Sequence, residues 1–190
     1  EEGAGKTAGG LFEATEVAPN VLKQYMGKRV VFIGNVRVKN VDELPVDRAH
    51  YINSTSELDE MLEQYGDDSE WEIIVFLDEG DQILGGFGTS NITGRAISDR
   101  VKLFRKDSAH IIITAQTLVT KDLRRNFGDI RYKPDKHNED RLVVAESITS
   151  DGVKDEDVKW QASGLPMTSA RYDTTAKGTW DHDVGDEEDR

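Results

Sequence analysis

Gly3, Ala4, Gly5, Lys6 and Thr7 stand in a row near the start of the chain, followed by a helix-forming stretch. Two glycines let backbone N–H groups curl around an anion, a lysine adds a positive point charge, and a threonine hydroxyl can hold a divalent cation. That is the back half of a phosphate-binding loop, G-x-x-x-x-G-K-[ST], with a helix N-terminus aimed at the same anion. The first glycine of the pattern would lie one position before Glu1, and the strand that feeds such a loop is expected upstream of it. These residues point to a nucleoside triphosphate, with Gly3 to Thr7 as binding residues and Thr7 as a magnesium ligand.

About seventy residues later, WEIIVFL ends in the adjacent carboxylates Asp78 and Glu79. A second magnesium-directed acid belongs on the strand beside a phosphate loop, and Asp78 fits it. Glu79 fits a base that orients and activates an attacking water. The next apolar run, AHIIITA, ends at Gln116. A strand of this kind, lying between the two motif strands, can bring an amide to a γ-phosphate or to the lytic water, so Gln116 is the expected sensor. Arg124 and Arg125 follow in LRRNF, and arginine stabilises charge on a transferring phosphoryl group, often across a subunit boundary. Arg105 and Lys106 compete for that role. His50, His110, His137 and His182 show no metal-ligand spacing and are expected to be structural or solvated.

Positioning these residues takes buried strands that alternate with amphipathic helices. RVVFIG at 29–34, WEIIVFL at 71–77 and AHIIITA at 109–115 are apolar on both faces, the mark of strands covered on both sides in a parallel sheet. A shorter strand is expected at 49–53, and later ones at 129–133, 141–148 and 157–162. Helices are expected at 6–16, closing before Pro19, then at 20–26 with Gly27 as the stop. Ser54 or Thr55 caps another that ends at Gly66 and turns Leu58, Met61, Leu62 and Tyr65 to one face. Further helices are expected at 92–106 and 120–127. Gly85 to Gly94 reads as a mobile loop near the mouth of the site or a central channel. The pattern is an α/β fold with a mainly parallel sheet, in which ligands sit beyond the C-terminal strand ends. Asp78, Glu79 and Gln116 all fall at such ends.

Composition bounds the rest. The 190 residues carry a net charge of −13, which rules out a generally basic coat for nucleic acid. The absence of cysteine excludes disulfides, thiolate metal sites and a thiol nucleophile. No apolar run approaches the roughly 18 residues of a membrane span. Aspartate outnumbers glutamate, 21 to 16, and lysine is only 12, an acidic surface suited to a salt-loving (halophilic) source. Residues 95–136 reverse the sign, with eleven bases and five acids, as a phosphate-facing surface would. Residues 1–162 are expected to form one domain, and 163–190 an acidic, poorly ordered tail.

With those residues in hand, the chain resembles the P-loop ATPases of the FtsK–HerA superfamily. Nearest is the zonula-occludens-toxin-like branch of filamentous-phage assembly ATPases and their relatives in archaeal viruses and plasmids. GAGKT at 3–7, RVVFIGN at 29–35, IIVFLDEGDQ at 73–82, FRKDSAHIIITAQ at 104–116 and DLRRNF at 122–127 carry the resemblance, which spans about residues 1–150. It implies a three-layer P-loop NTPase sandwich and Mg2+-dependent ATP hydrolysis by a homo-oligomeric ring. The ring would move DNA, package a genome or assemble virions, in the cytoplasm, at the membrane periphery or with the virion. It implies viral or membrane assembly proteins as partners. A secretion or assembly ATPase that moves protein shares the same site. So do a small kinase and a nucleotide-binding scaffold without turnover, although the adjacent Asp78 and Glu79 favour hydrolysis.

Overall fold

The computed structural model describes residues 6–83, 109–115, 131–132, 146–147, 168–173 and 180. Its centre is a four-stranded, all-parallel sheet in the order β2-β1-β3-β4, formed by β1 (Arg29–Gly34), β2 (Arg48–Tyr51), β3 (Trp71–Leu77) and β4 (Ala109–Ile113). β3 is buried at every position and β1 at all but its first, as continuous apolar runs require of central strands. β5 (Arg131–Tyr132) and β6 (Glu146–Ser147) pair antiparallel as a separate ribbon. The expected strands at 29–34 and 71–77 are present with those bounds. The expected helices at 92–106 and 120–127, the strand at 157–162 and the glycine-rich loop lie outside the described residues.

Side-chain parity along the strands divides the core in two. Val31, Ile33, Ile73, Val75 and Leu77 face α3 (Thr55–Gly66), from which Leu58 and Tyr65 are buried. Val30, Phe32, Ile74 and Phe76 face the opposite helical layer through Leu11, Ala14 and Leu22. Helices therefore cover both faces of the sheet. α3 begins as its sequence dictates: Ser54 Oγ accepts from the Glu57 N–H at 3.2 Å, and Glu57 Oε2 accepts from the Asn53 N–H at 2.7 Å.

The opposite layer departs from expectation. α1 (Lys6–Phe12) does not close before Pro19; it runs through a wide π-helical turn, Glu13–Val17, straight into α2 (Ala18–Met26). Pro19 lacks an N–H and would leave an α-helical carbonyl unserved. At the first turn of α2 that loss is tolerated, and the wide turn absorbs the mismatch. The end of α2 is as expected: Gly27 takes φ +64°, and its N–H closes on the Lys23 carbonyl at 3.1 Å. Among the described residues no helix is long and apolar enough to cross a membrane. Within the range expected to form an acidic tail, 168–173 are docked: Ala170 is buried in the α1–α2 face and Lys39 N–H donates to the Arg171 carbonyl at 2.8 Å.

One histidine links this fold to pH. His50 Nε2 meets the Tyr65 hydroxyl at 2.7 Å, and Tyr65 stacks edge-on against Trp71, which Arg29 covers at 4.1 Å. Burial, and then the charge of Arg48, lower the His50 pKa from its ordinary 6.5. A depressed base binds its proton less readily folded than unfolded. Its contribution is therefore intact above pH 6.5 and is lost as pH falls through that value toward the lowered one. Thermal melting should shift down between about pH 7 and pH 5, and the His50→Gln protein should show a flatter fall over the same interval.

Candidate functional site

The register of the sheet lines up polar residues just past three strand ends. Gly34 pairs with Phe76 and Leu77 with Ile113, so Asn35, Asp78 and Thr114 emerge side by side at the C-terminal edge. Asp78 is the hub. The Asp78 N–H donates to Asn35 Oδ1 at 2.7 Å, and Asn35 Nδ2 donates to the Asp78 carbonyl at 2.9 Å. The side-chain amide thus extends the ladder one step beyond β1 and fixes the backbone on both sides of the Asp78 Cα. The Thr114 hydroxyl donates to Asp78 Oδ1.

From the first turn of α1, the Thr7 hydroxyl donates to the same carboxylate, 2.8 Å from Oδ2 and 3.0 Å from Oδ1. The ammonium of Lys6 donates to the Ala115 carbonyl at 3.1 Å, at the end of β4. So Lys6, Thr7 and Asp78, expected from sequence to act together, are together, although 71 residues separate Thr7 from Asp78. Gly3, Ala4, Gly5, Gln116, Arg124 and Arg125 lie outside the described residues. β4 pairs with β3 at the edge of the described sheet.

Glu79 follows with φ +53°, the one positive φ among the described residues other than glycine. The backbone explains how it is held. Gly80 N–H donates to the Thr114 carbonyl at 2.7 Å, and Thr114 N–H to the Leu77 carbonyl at 3.0 Å, so the turn is clamped to β4 on both sides of Glu79. A Cβ on Gly80 would sit 2.3 Å from Ile113 Cγ2, which keeps that position a glycine. Left-handed backbone on a residue with a side chain costs on the order of 1 kcal/mol and persists where its surroundings over-determine it.

Gly10 explains the approach of α1. A Cβ there would lie 2.5 Å from Phe76 Cε2 and 2.7 Å from Thr114 Cγ2. The missing side chain lets the helix settle onto β3 and β4 one turn after Thr7. Gly10→Ala gains up to about 1 kcal/mol of helix propensity, but overpacking a core typically costs 1–3 kcal/mol. Net destabilisation is expected, with a lower chemical-denaturation midpoint and a looser Thr7–Asp78 contact.

Asn35 and Thr114 did not emerge as site residues from the sequence. Each is a single polar residue at the end of an apolar strand, a signal that identifies a candidate only once strand order is known. The donors that converge here are hydroxyl and carboxylate oxygens, suited to a hard divalent cation that keeps several waters and takes one or two protein ligands. Among the described residues no group of three or more His, Cys, Asp or Glu is placed to hold a metal. Nothing in comparisons with protein-family models, curated proteins and solved structures matches this chain.

Proposed function

We propose that the chain is the motor domain of a magnesium-dependent ATPase of the FtsK–HerA type, working on DNA translocation, genome packaging or virion assembly. The observation that carries this reading is the contact of Thr7 with Asp78 at 2.8 Å on the C-terminal edge of a parallel sheet, with Lys6 and Glu79 as their immediate chain neighbours. Thr7 and Asp78 are the residues that would hold Mg2+, which when bound supplies positive charge to the phosphate oxygens. Lys6 places its ammonium at the same edge and neutralises charge on the β- and γ-phosphates. Glu79 accepts the proton of the water that attacks the γ-phosphorus, the γ-phosphoryl group passes to that water, and ADP leaves. Asn35 and Thr114 hold Asp78 still while this happens.

Gln116 as sensor, and Arg124 or Arg125 as an arginine supplied in trans within a homo-oligomeric ring, complete the proposal. The net positive charge of the sequence at 95–136 is what would favour DNA phosphate as the partner. Release of phosphate from ATP, with Mg2+ or with a chelator and with or without double-stranded DNA, tests it. Mg2+-dependent release that DNA stimulates is expected, and Lys6→Ala should weaken ATP binding at least tenfold, the loss of a charge-assisted contact. Equal binding of ATP by the wild-type and Lys6→Ala proteins defeats the reading.

A further inference from the structure

The Asp78 carboxylate is held from two elements at once. Thr7 Oγ1, on α1, stands 2.8 Å from Oδ2 and 3.0 Å from Oδ1, so its hydroxyl lies in the notch between the two oxygens. The Thr114 hydroxyl, past the end of β4, donates to Oδ1. Thr114 is itself pinned. Its N–H donates to the Leu77 carbonyl at 3.0 Å, and its carbonyl accepts the Gly80 N–H at 2.7 Å. Its methyl, Cγ2, faces α1 at Gly10, where a Cβ would come within 2.7 Å. A hydroxyl fixed on these sides cannot follow the carboxylate as it rotates, so the carboxylate stays where the hydroxyl is.

This grip limits how a cation can be met. A cation that takes both oxygens of a carboxylate sits in the notch, which Thr7 Oγ1 fills. A cation bound through Oδ2 alone can share Thr7 Oγ1 as its next ligand. Adjacent ligands of an octahedral ion at about 2.0–2.1 Å stand about 2.9 Å apart, and the 2.8 Å between Thr7 Oγ1 and Asp78 Oδ2 matches that edge. Magnesium binds in this way, through few protein oxygens and several waters. Calcium takes about 6–8 oxygens at about 2.3–2.6 Å and often takes a carboxylate through both of its oxygens.

We propose that Thr114 is a positioning residue that makes this site select a small octahedral cation over calcium, by holding Asp78 Oδ1 so that the carboxylate offers a cation one oxygen and not two. The inference rests on the reading of Thr7 and Asp78 as cation ligands given above. Asn35 fixes the Asp78 backbone, which leaves rotation of the carboxylate about its terminal bond for Thr114 to stop. Without that hydroxyl the carboxylate turns to meet a larger ion with both oxygens. Calcium then gains a ligand that magnesium does not use.

The test uses Mn2+ as the probe, titrated by electron paramagnetic resonance into the wild-type, Thr114→Val, Thr114→Ser and Asp78→Asn proteins, then displaced by Mg2+ and by Ca2+. Valine keeps the backbone bonds and a methyl toward Gly10 but has no donor for Oδ1. The ratio of Ca2+ to Mg2+ affinity should rise about 3- to 10-fold in Thr114→Val, the worth of one hydrogen bond, and stay within about twofold of wild type in Thr114→Ser. A merely structural role for Thr114 would lower both affinities together and leave the ratio alone. A ratio within about twofold of wild type in Thr114→Val overturns the proposal. So does a Thr114→Ser ratio that matches the valine protein, since the hydroxyl would then not be the cause. Should Thr114→Val fail to fold, Thr114→Ala is read by the same criterion. Failure of the wild-type protein to bind Mn2+, or Mn2+ binding that Asp78→Asn leaves intact, overturns the cation reading of Asp78 and the proposal with it. Binding of a fluorescent ATP analogue in chelator, measured alongside, separates the two readings. Mn2+ held at Asp78 without analogue binding overturns the ATPase reading, and the ratio in Thr114→Val still decides the role of Thr114.

Discussion

The Glu79→Gln protein should retain ATP and lose turnover, by about 10²- to 10⁴-fold in kcat, the usual contribution of a general base. The amide has the shape of the carboxylate and leaves the turn at φ +53° intact, but it cannot take a proton from water. Binding does not require that proton transfer, so the dissociation constant for ATP should change little. Single-turnover hydrolysis and equilibrium binding, measured on the same preparation, separate the two effects. Undiminished hydrolysis would remove Glu79 from the mechanism.

Asn35→Ala should be the most damaging change outside the groups expected to touch nucleotide. It strips two hydrogen bonds from one residue's backbone, leaving the Asp78 N–H and carbonyl without their Asn35 partner. An unsatisfied buried polar group costs about 1–3 kcal/mol. Because water can reach part of this edge, about 2 kcal/mol is expected for the pair, read as a lowered denaturation midpoint. Turnover should fall further than stability, since the freed carbonyl begins the turn that aims Glu79. Asn35→Asp sharpens the test: a carboxylate accepts from the N–H but cannot donate to the carbonyl, and it sets a second negative charge beside Asp78. Equal activity of the Asn35→Ala and wild-type proteins would show that the ladder needs no such clamp.

What was legible in advance follows from the range of the forces involved. β1 and β3 announced themselves because continuous apolar runs have few other fates in a chain this polar. The meeting of Thr7 with Asp78 was legible, since a glycine-lysine-threonine turn and an acid at a strand end each have a local pattern. The helix past Pro19 was not, because its continuation depends on one widened turn whose cost is met by packing of Leu11, Ala14 and Leu22 on the sheet. Nor was Asn35, whose role exists only through strand order: β1 and β3 are neighbours despite β2 lying between them in the chain. Docking of 168–173 escaped for a similar reason. Its partners, Glu16 and Asn40, are more than a hundred residues away and polar, so hydropathy carries no trace of them.

On the mechanism proposed above, the left-handed backbone at position 79 sets stability against activity. Glycine adopts that conformation freely, so the backbone alone favours Glu79→Gly by about 1 kcal/mol. Glycine has no carboxylate, and Asp78 would then stand beside a position with nothing to take a proton. Selection for thermal resistance alone would push this position toward glycine, and selection for catalysis would hold it at glutamate. A stabilised variant of this protein chosen only by melting temperature therefore runs the risk of being an inactive one, with the loss concentrated in the single residue after Asp78.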